Sequence, residues 1–455
     1  MKSAFLIISL LLIDLISYGQ TPFKTYFDNG NIYYDGTKKD GLLTGEVKIY
    51  TEDGKLLKIV EYKAGKRNGL TTYYYDNGKV SETINFKDGE YFGRQEKFSK
   101  EGNQLFDGYY LGATKVGKHR TFYPDGNIQR AAHYNNQGEL DGALRLYYKG
   151  VKLQEESTYS NGKLNGESIK YHPNGDIEGK YTYVNGNLEG EVRTYYEGNQ
   201  LNQKGFFIDG KKHGEFKSYH DNGQLYSKKT YEYGELQGDY FTYFRNGQLE
   251  TKCFYKDNKL EGKYLTYTED GNKSLDKNFV NGKKSGAQTA YYKNGQIGQI
   301  SNFQEDKYEG EYLLYYENSS QIKTKAEMSY DEILFITNYY KNGVVQSEAI
   351  RDSETKDYDW KFYHSNGEIA STGVMLNWPK DSKDGEWKYY HTNGKIYRTA
   401  IHKYGGLENI IDCYDGQGNP LDIGTIKDGE GIVNDYDING NLIKTIKYVE
   451  GVIEE

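Results

Sequence analysis

Cysteine is almost absent. Cys253 and Cys413 are the only two in 455 residues, and their separation excludes a disulfide framework. Proline and tryptophan are scarce too, at 5 and 3 residues. Beyond the first twenty positions there is no long apolar run, and mean hydropathy is −0.90, so a thick conventional core is not expected. A net charge of −8 argues against nucleic acid as the partner. The chain also lacks a His-Glu-x-x-His helix, a Gly-x-Ser-x-Gly elbow, a phosphate loop and any carboxylate pair set apart from its repeats. These absences point away from an enzyme and from any cofactor.

What is present is a glycine ruler. Gly45, Gly69, Gly93, Gly117, Gly142, Gly166, Gly190, Gly214, Gly238, Gly262, Gly286 and Gly310 follow one another at 24 residues, with a single step of 25. A fixed period of this size means that each unit is one supersecondary element stabilised by stacking on its neighbours. With the ruler glycine as position zero, position five is aromatic in every unit and can be followed from Tyr26 to Tyr436, which gives eighteen units. Position eleven is aliphatic in fourteen of them, and position seventeen is aromatic in eleven successive units, Tyr62 to Phe303.

Short tyrosine-rich runs broken by Asn-Gly or Asp-Gly read as hairpins, two strands and two turns per unit. The expected fold is all-β: an elongated single-layer antiparallel β-meander built from tandem 24-residue hairpin repeats. At ~4.8 Å per strand, eighteen stacked units would span roughly 170 Å. Tyrosine, 49 residues in all, suits such a thin sheet because its ring can be buried while its hydroxyl stays wet. Pro124-Asp125-Gly126 and Pro173-Asn174-Gly175 favour a three-residue loop with a glycine bulge for the first turn. That loop sets position five opposite position eleven. Simple alternation then places position seventeen on the same face, leaving positions two, four and six on the other.

Position six varies, and it is the expected recognition surface: Tyr75, Tyr123, Tyr148, Tyr196, His220, Phe244, Tyr292 and Tyr316, joined by the late cluster Trp360, Trp378 and Trp387. Of the eight histidines, His172, His220, His364 and His391 also occupy position six. Neighbours there would stand about 10 Å apart, too far to share an ion, so no metal site is expected. A second candidate is a row of lysines after the second turn, Lys66, Lys163, Lys211, Lys259, Lys283 and Lys307, which would line one edge and attract anionic lipid or polysaccharide.

The sequence divides into four parts. Residues 1–19, with Lys2, an apolar run from Ala4 to Ile16 and small residues at Ser17 and Gly19, read as a cleaved signal peptide. Regular repeats fill 20–317, modified repeats with a longer loop fill 318–385, and C-terminal repeats with a cap fill 386–455. Export would place the mature chain in the periplasm, on the cell surface or outside the cell.

Units such as Gly214-Glu215-Phe216-Lys217-Ser218-Tyr219-His220-Asp221-Asn222-Gly223-Gln224-Leu225, closing with Gly234 and Gly238, resemble the MORN-repeat variant of the bacterial YwqK-type antitoxin-like proteins. The resemblance covers nearly all of the mature chain. It implies tandem hairpins and a role in protein or membrane association, with an antitoxin label on some members, although an antitoxin for a cytoplasmic toxin would not need an export signal. A weaker likeness is to tryptophan-rich choline- or glucan-binding wall repeats. The expected function is a non-enzymatic exported scaffold that binds a protein partner through a tyrosine-rich sheet face. The alternatives are an envelope-binding module for anionic lipid or glycan, and an antitoxin or immunity-type protein that neutralises a toxin.

Overall fold

A computed structural model describes residues 19–377 and 382–454. The proposed signal peptide therefore lies, apart from Gly19, outside the described residues, as does Trp378. The chain divides into two compact units, one ending at Gly214 and taking in Asp221–Gly223, the other made of Glu215–His220 and the chain from Gln224. Among the described residues there is no helix, and in each unit successive strands pair antiparallel as a meander. The all-β hairpin array is the fold of this chain.

One repeat shows how the sequence builds the others. Strand Leu42–Tyr50 leads into Thr51-Glu52-Asp53-Gly54, where the Gly54 amide donates to the Thr51 carbonyl at 2.9 Å and the Thr51 amide to the Lys55 carbonyl at 2.8 Å. Gly54 sits at φ +81°, so this is the expected type I turn with a three-residue loop and a left-handed glycine. Strand Leu56–Lys63 returns, and Ala64-Gly65 closes the unit with both residues at positive φ, a two-residue type I′ turn. The 25-residue step has a simple cause. After strand Ile128–Tyr134 the second turn takes the three-residue form, with Gly138 donating to Asn135 and Asn135 to Glu139, and the loop is one residue longer.

Position five does lie opposite position eleven, as Tyr50 lies opposite Leu56. The next pair, however, is Ile49 with Lys58, so Leu57 is an extra residue and the returning strand is bulged there. Tyr50 follows Ile49 directly along its strand and takes the opposite face. Tyr62, two pairs beyond Val47 and Val60, keeps the face of Ile49. The continuous ladder of positions five, eleven and seventeen is therefore corrected: seventeen shares its face with positions two, four and fifteen, and five and eleven occupy the other. The same register shift recurs at Thr242/Tyr243 and Ala290/Tyr291.

The face bearing position seventeen holds the core. In the first unit Val47, Ile49 and Val60 are buried beneath Tyr34, Leu43 and Tyr62. Small residues at positions two and fifteen form the floor, such as Thr71 and Ser157, and aromatic rings from neighbouring strands close over them. A single-layer sheet thereby covers itself. The second unit ends differently. A separate three-stranded sheet, Gly431–Tyr436, Leu442–Val449 and Val452–Ile453, accompanies a core of Ala400, Leu407, Ile410, Ile426 and Val433. Cys253 and Cys413 are free, buried thiols.

Candidate functional site

The eight position-six residues are all half-buried, and most point their polar tips at the next repeat. Tyr75 donates its hydroxyl to the Phe98 carbonyl at 2.7 Å, Tyr123 to Tyr147 at 2.8 Å, Tyr148 to Tyr171 at 2.8 Å, Tyr292 to Tyr315 at 2.7 Å and Tyr316 to Tyr339 at 2.7 Å. In each case the acceptor is the backbone of position five one unit on. Histidine does the same: Nε2 of His220 lies 3.0 Å from the Tyr243 carbonyl, and His172, His364 and His391 reach Tyr195, Tyr390 and Tyr414. A carbonyl accepts, so Nε2 carries the proton. Histidine replaces tyrosine here as one ring-borne donor for another. The expected recognition surface is thus a stitch between repeats, and Phe244 is a place where the stitch has no donor.

Two further stitches run along the turn edges. Asn77 donates Nδ2–H to the Lys100 carbonyl at 3.0 Å, and Asn246 and Asn366 do likewise to Glu269 and Thr392. At the other edge, the carboxylates of Glu189, Glu261 and Glu309 accept the turn amides of Asp209, Asn281 and Tyr330 at 2.8–2.9 Å. The recurrence of Asn, Gln, Asp or Glu just before the ruler glycine was the signal for this last contact.

The lysines are all exposed, three in each unit. Of the six, Lys283 pairs with Glu305 at 3.3 Å and Lys307 lies over the Tyr330 ring. The sheet face opposite the core is likewise charge-paired. Buried Asp107 lies between Arg94, at 2.8 Å, and Arg120; burial raises its pKa, but the two guanidinium groups outweigh that and hold it below the usual value. Arg145 with Glu156 and Lys263 with Asp276 repeat the pattern. A face whose charges are mutually satisfied offers little net field to an anionic partner.

Trp387 is 0 % exposed, with Nε1–H donated to the Val374 carbonyl at 3.0 Å, so its assignment to a contact surface is corrected: it occupies position two and belongs to the core. Trp360 is half-buried and stacked on Phe362, ring centroids 5.3 Å apart.

The tyrosines with wet hydroxyls lie on the core face instead. In the first unit these are Tyr110, Tyr159 and Tyr183 at position seventeen. In the second, Tyr255 holds that slot, and Tyr240, Tyr264 and Tyr312 stand at position two. Their rings pack on one another, as Tyr240 on Tyr255 at 5.7 Å and Tyr264 on Phe279 at 5.9 Å. Burial raises the phenol pKa of Tyr110, Tyr159, Tyr183, Tyr255 and Tyr312, and of Tyr240 to about 12, so all stay protonated donors. None of these hydroxyls has a hydrogen-bond partner among the described residues, nor is any a buried unsatisfied group, so they face solvent. Each unit thus carries a row of fixed rings tipped with open hydroxyls.

Comparison with known proteins agrees with this architecture. The family model described as MORN repeat variant matches residues 43–64, 67–88, 115–136, 164–185, 188–209, 212–233, 236–257 and 383–404. No curated protein matches the chain. Solved structures with some similarity include the TcdB2-TccC3-Cdc42 complex, at 10% identity and a TM-score of 0.15, covering 94% of this chain and 31% of that one. Another is the Photorhabdus luminescens Tc holotoxin pore, at 11% identity and a TM-score of 0.16, covering 94% and 25%. This chain spans a third or less of those chains. The chain is a repeat protein that carries MORN repeat variants in both of its units.

Proposed function

We propose that this chain is a non-enzymatic scaffold that binds a protein partner through the tyrosine-lined core face, and that it does so after export. The observation that supports this reading is the row of half-buried phenols with open hydroxyls, Tyr240, Tyr255, Tyr264 and Tyr312 in the second unit. Rings already held by packing lose little conformational freedom on binding, while the hydroxyls offer donors and acceptors to a polypeptide backbone. The opposite face is charge-paired, and most position-six rings are engaged in stitches. The core face is therefore the surface with unspent hydrogen-bonding capacity.

The YwqK-type resemblance would make the partner of some relatives a toxin, and the lysine edge would make it an envelope anion. One experiment separates the three. Replacing Tyr255 and Tyr264 with Ser should weaken a protein complex by tenfold or more, on the order of 1.4 kcal/mol or above. Replacing Lys259, Lys283 and Lys307 with Gln should leave that complex intact. Binding to anionic vesicles or glycan that is lost only with the lysines would overturn the proposal, and a captured toxin would narrow the partner to the antitoxin class.

A further inference from the structure

The repeat at 383–404 and the C-terminal sheet flank an open cavity of about 640 Å³, lined among others by Lys383, Tyr389, Arg398, His402, Leu407 and Tyr448. Its central group, Lys383, has counterparts in Arg67, Lys115 and Lys284, which also lie over aromatic rings, but here the C-terminal sheet stands beside it. Lys383 stands near the start of strand Ser382–Tyr390, where the regular units place a leucine, arginine, lysine or tyrosine beside the second turn. Its ammonium is drawn inward, 4.5 Å from the centroid of the Trp387 ring and 4.9 Å from that of Tyr389. It donates one hydrogen bond, to the Tyr389 hydroxyl at 2.8 Å, and that hydroxyl lies 3.1 Å from Nε2 of His402.

This leaves a charge and two donors over. An ammonium carries three N–H groups, and only one of Lys383's has an acceptor among the described residues. No carboxylate pairs with it there. Asp435, which also lines the cavity, is committed to Arg398 at 2.6 Å and to the Tyr397 hydroxyl at 2.6 Å. His402 cannot serve as the counter-charge. Burial first, then the neighbouring Lys383, push its pKa down to about 4, so it is neutral at pH 7. The rest of the lining is mixed: Ala400, Leu407 and the ring of Tyr448 form an apolar side, Val452 and Ile453 an exposed rim, and Ser382 adds a hydroxyl.

We propose that this cavity binds a small organic carboxylate with an apolar body, its carboxylate on Lys383 and its body against Leu407 and Tyr448. A half-buried cation facing a cavity without a counter-ion among the described residues is costly, and an anion entering there supplies both the charge and the missing acceptors. The apolar side disfavours a free inorganic ion, which would forfeit its hydration without burying any apolar surface. The volume suits a small ligand rather than a polypeptide. This inference is independent of the tyrosine face, in a different part of the second unit, and either can fail without the other.

The test uses the full chain with 3-phenylpropionate as probe, 3-phenylpropanol as its uncharged analogue and inorganic phosphate as the bare anion. Because a cation lies over Trp387, tryptophan emission should change as the carboxylate seats. We expect saturable binding of 3-phenylpropionate that weakens about tenfold or more in Lys383→Met and largely returns in Lys383→Arg. The alcohol and phosphate should each bind at least about tenfold more weakly than the carboxylate. A second readout excludes a merely structural effect: burial lowers the Lys383 pKa, and seating the anion should draw it back up, so binding at alkaline pH takes up protons in wild type and not in Lys383→Met. Equal affinity in Lys383→Met, equal affinity for the alcohol, or no saturable signal by about 10 mM, the weak end of specific recognition, would each overturn the proposal.

Discussion

The indole of Trp387 rests on Gly373: a Cβ built on that glycine would come within 2.4 Å of the ring. The two residues belong to adjacent strands of consecutive units, position fifteen of one against position two of the next. Gly36 against Val47 and Gly108 against His119 repeat the fit, at 2.8 and 2.5 Å. A large residue in one slot is matched by the loss of a side chain in the other. Gly373 has no left-handed φ, so the constraint is steric. Gly373→Ala should destabilise the chain by about 2 kcal/mol through overpacking, read as a lower urea midpoint. The double variant with Trp387→Leu should recover part of that loss, because the two sites are coupled. Simple additivity would show that the ring does not bear on the glycine.

The position-six stitch predicts a gain as well as losses. Phe244 fills the slot without a donor, and the carbonyl it would serve belongs to Tyr267. Phe244→Tyr should stabilise the local interface by about 1 kcal/mol, while Tyr292→Phe should cost about the same. In an array held by nearest-neighbour contacts the effect is local, so amide exchange in the two flanking hairpins is the appropriate measurement. Slower exchange around residues 244–272 in Phe244→Tyr is expected. No change in either variant would mean that these hydroxyls bond equally well to water.

Much of this architecture is legible in the sequence. The glycine ruler and the proline-marked turns give the hairpin and its three-residue loop, and Tyr50 does lie opposite Leu56. The faces are not legible, because alternation counts residues as though strands were regular. The extra residue at Leu57 reverses the count, and nothing in its type announces a bulge. The stitches were visible as a pattern and misread: tyrosine and histidine sharing position six is what a common donor requires, though it looks like the variation of a recognition surface. The cavity at Lys383 was not legible, since it depends on how the C-terminal sheet stands beside one repeat.

Acid should weaken the C-terminal end of the chain. His402 titrates near 6.5 when unfolded and at about 4 when folded, so between those values the unfolded state holds more protons and stability rises with pH. The contribution is intact above about pH 6.5 and is lost as pH falls toward about 4, on the order of 2 kcal/mol after allowing for solvent at the cavity mouth. Lys383→Met removes the nearby charge, and the His402 ring resonances should then titrate at a higher pH in an NMR experiment. An unchanged midpoint would show that burial alone sets it.

The most direct test of the binding face is site-specific photocrosslinking of the full chain in its native cells. A benzophenone side chain placed at Tyr255 or Tyr264 lies on the proposed binding face, and one at Lys252, whose residue pairs with Phe241 and Leu265, lies on the opposite face of the same unit. We predict crosslinks to one protein species from the two tyrosine positions and none from Lys252. Crosslinking from Lys252 alone, equal crosslinking from both faces, or adducts only to lipid or glycan would contradict the account.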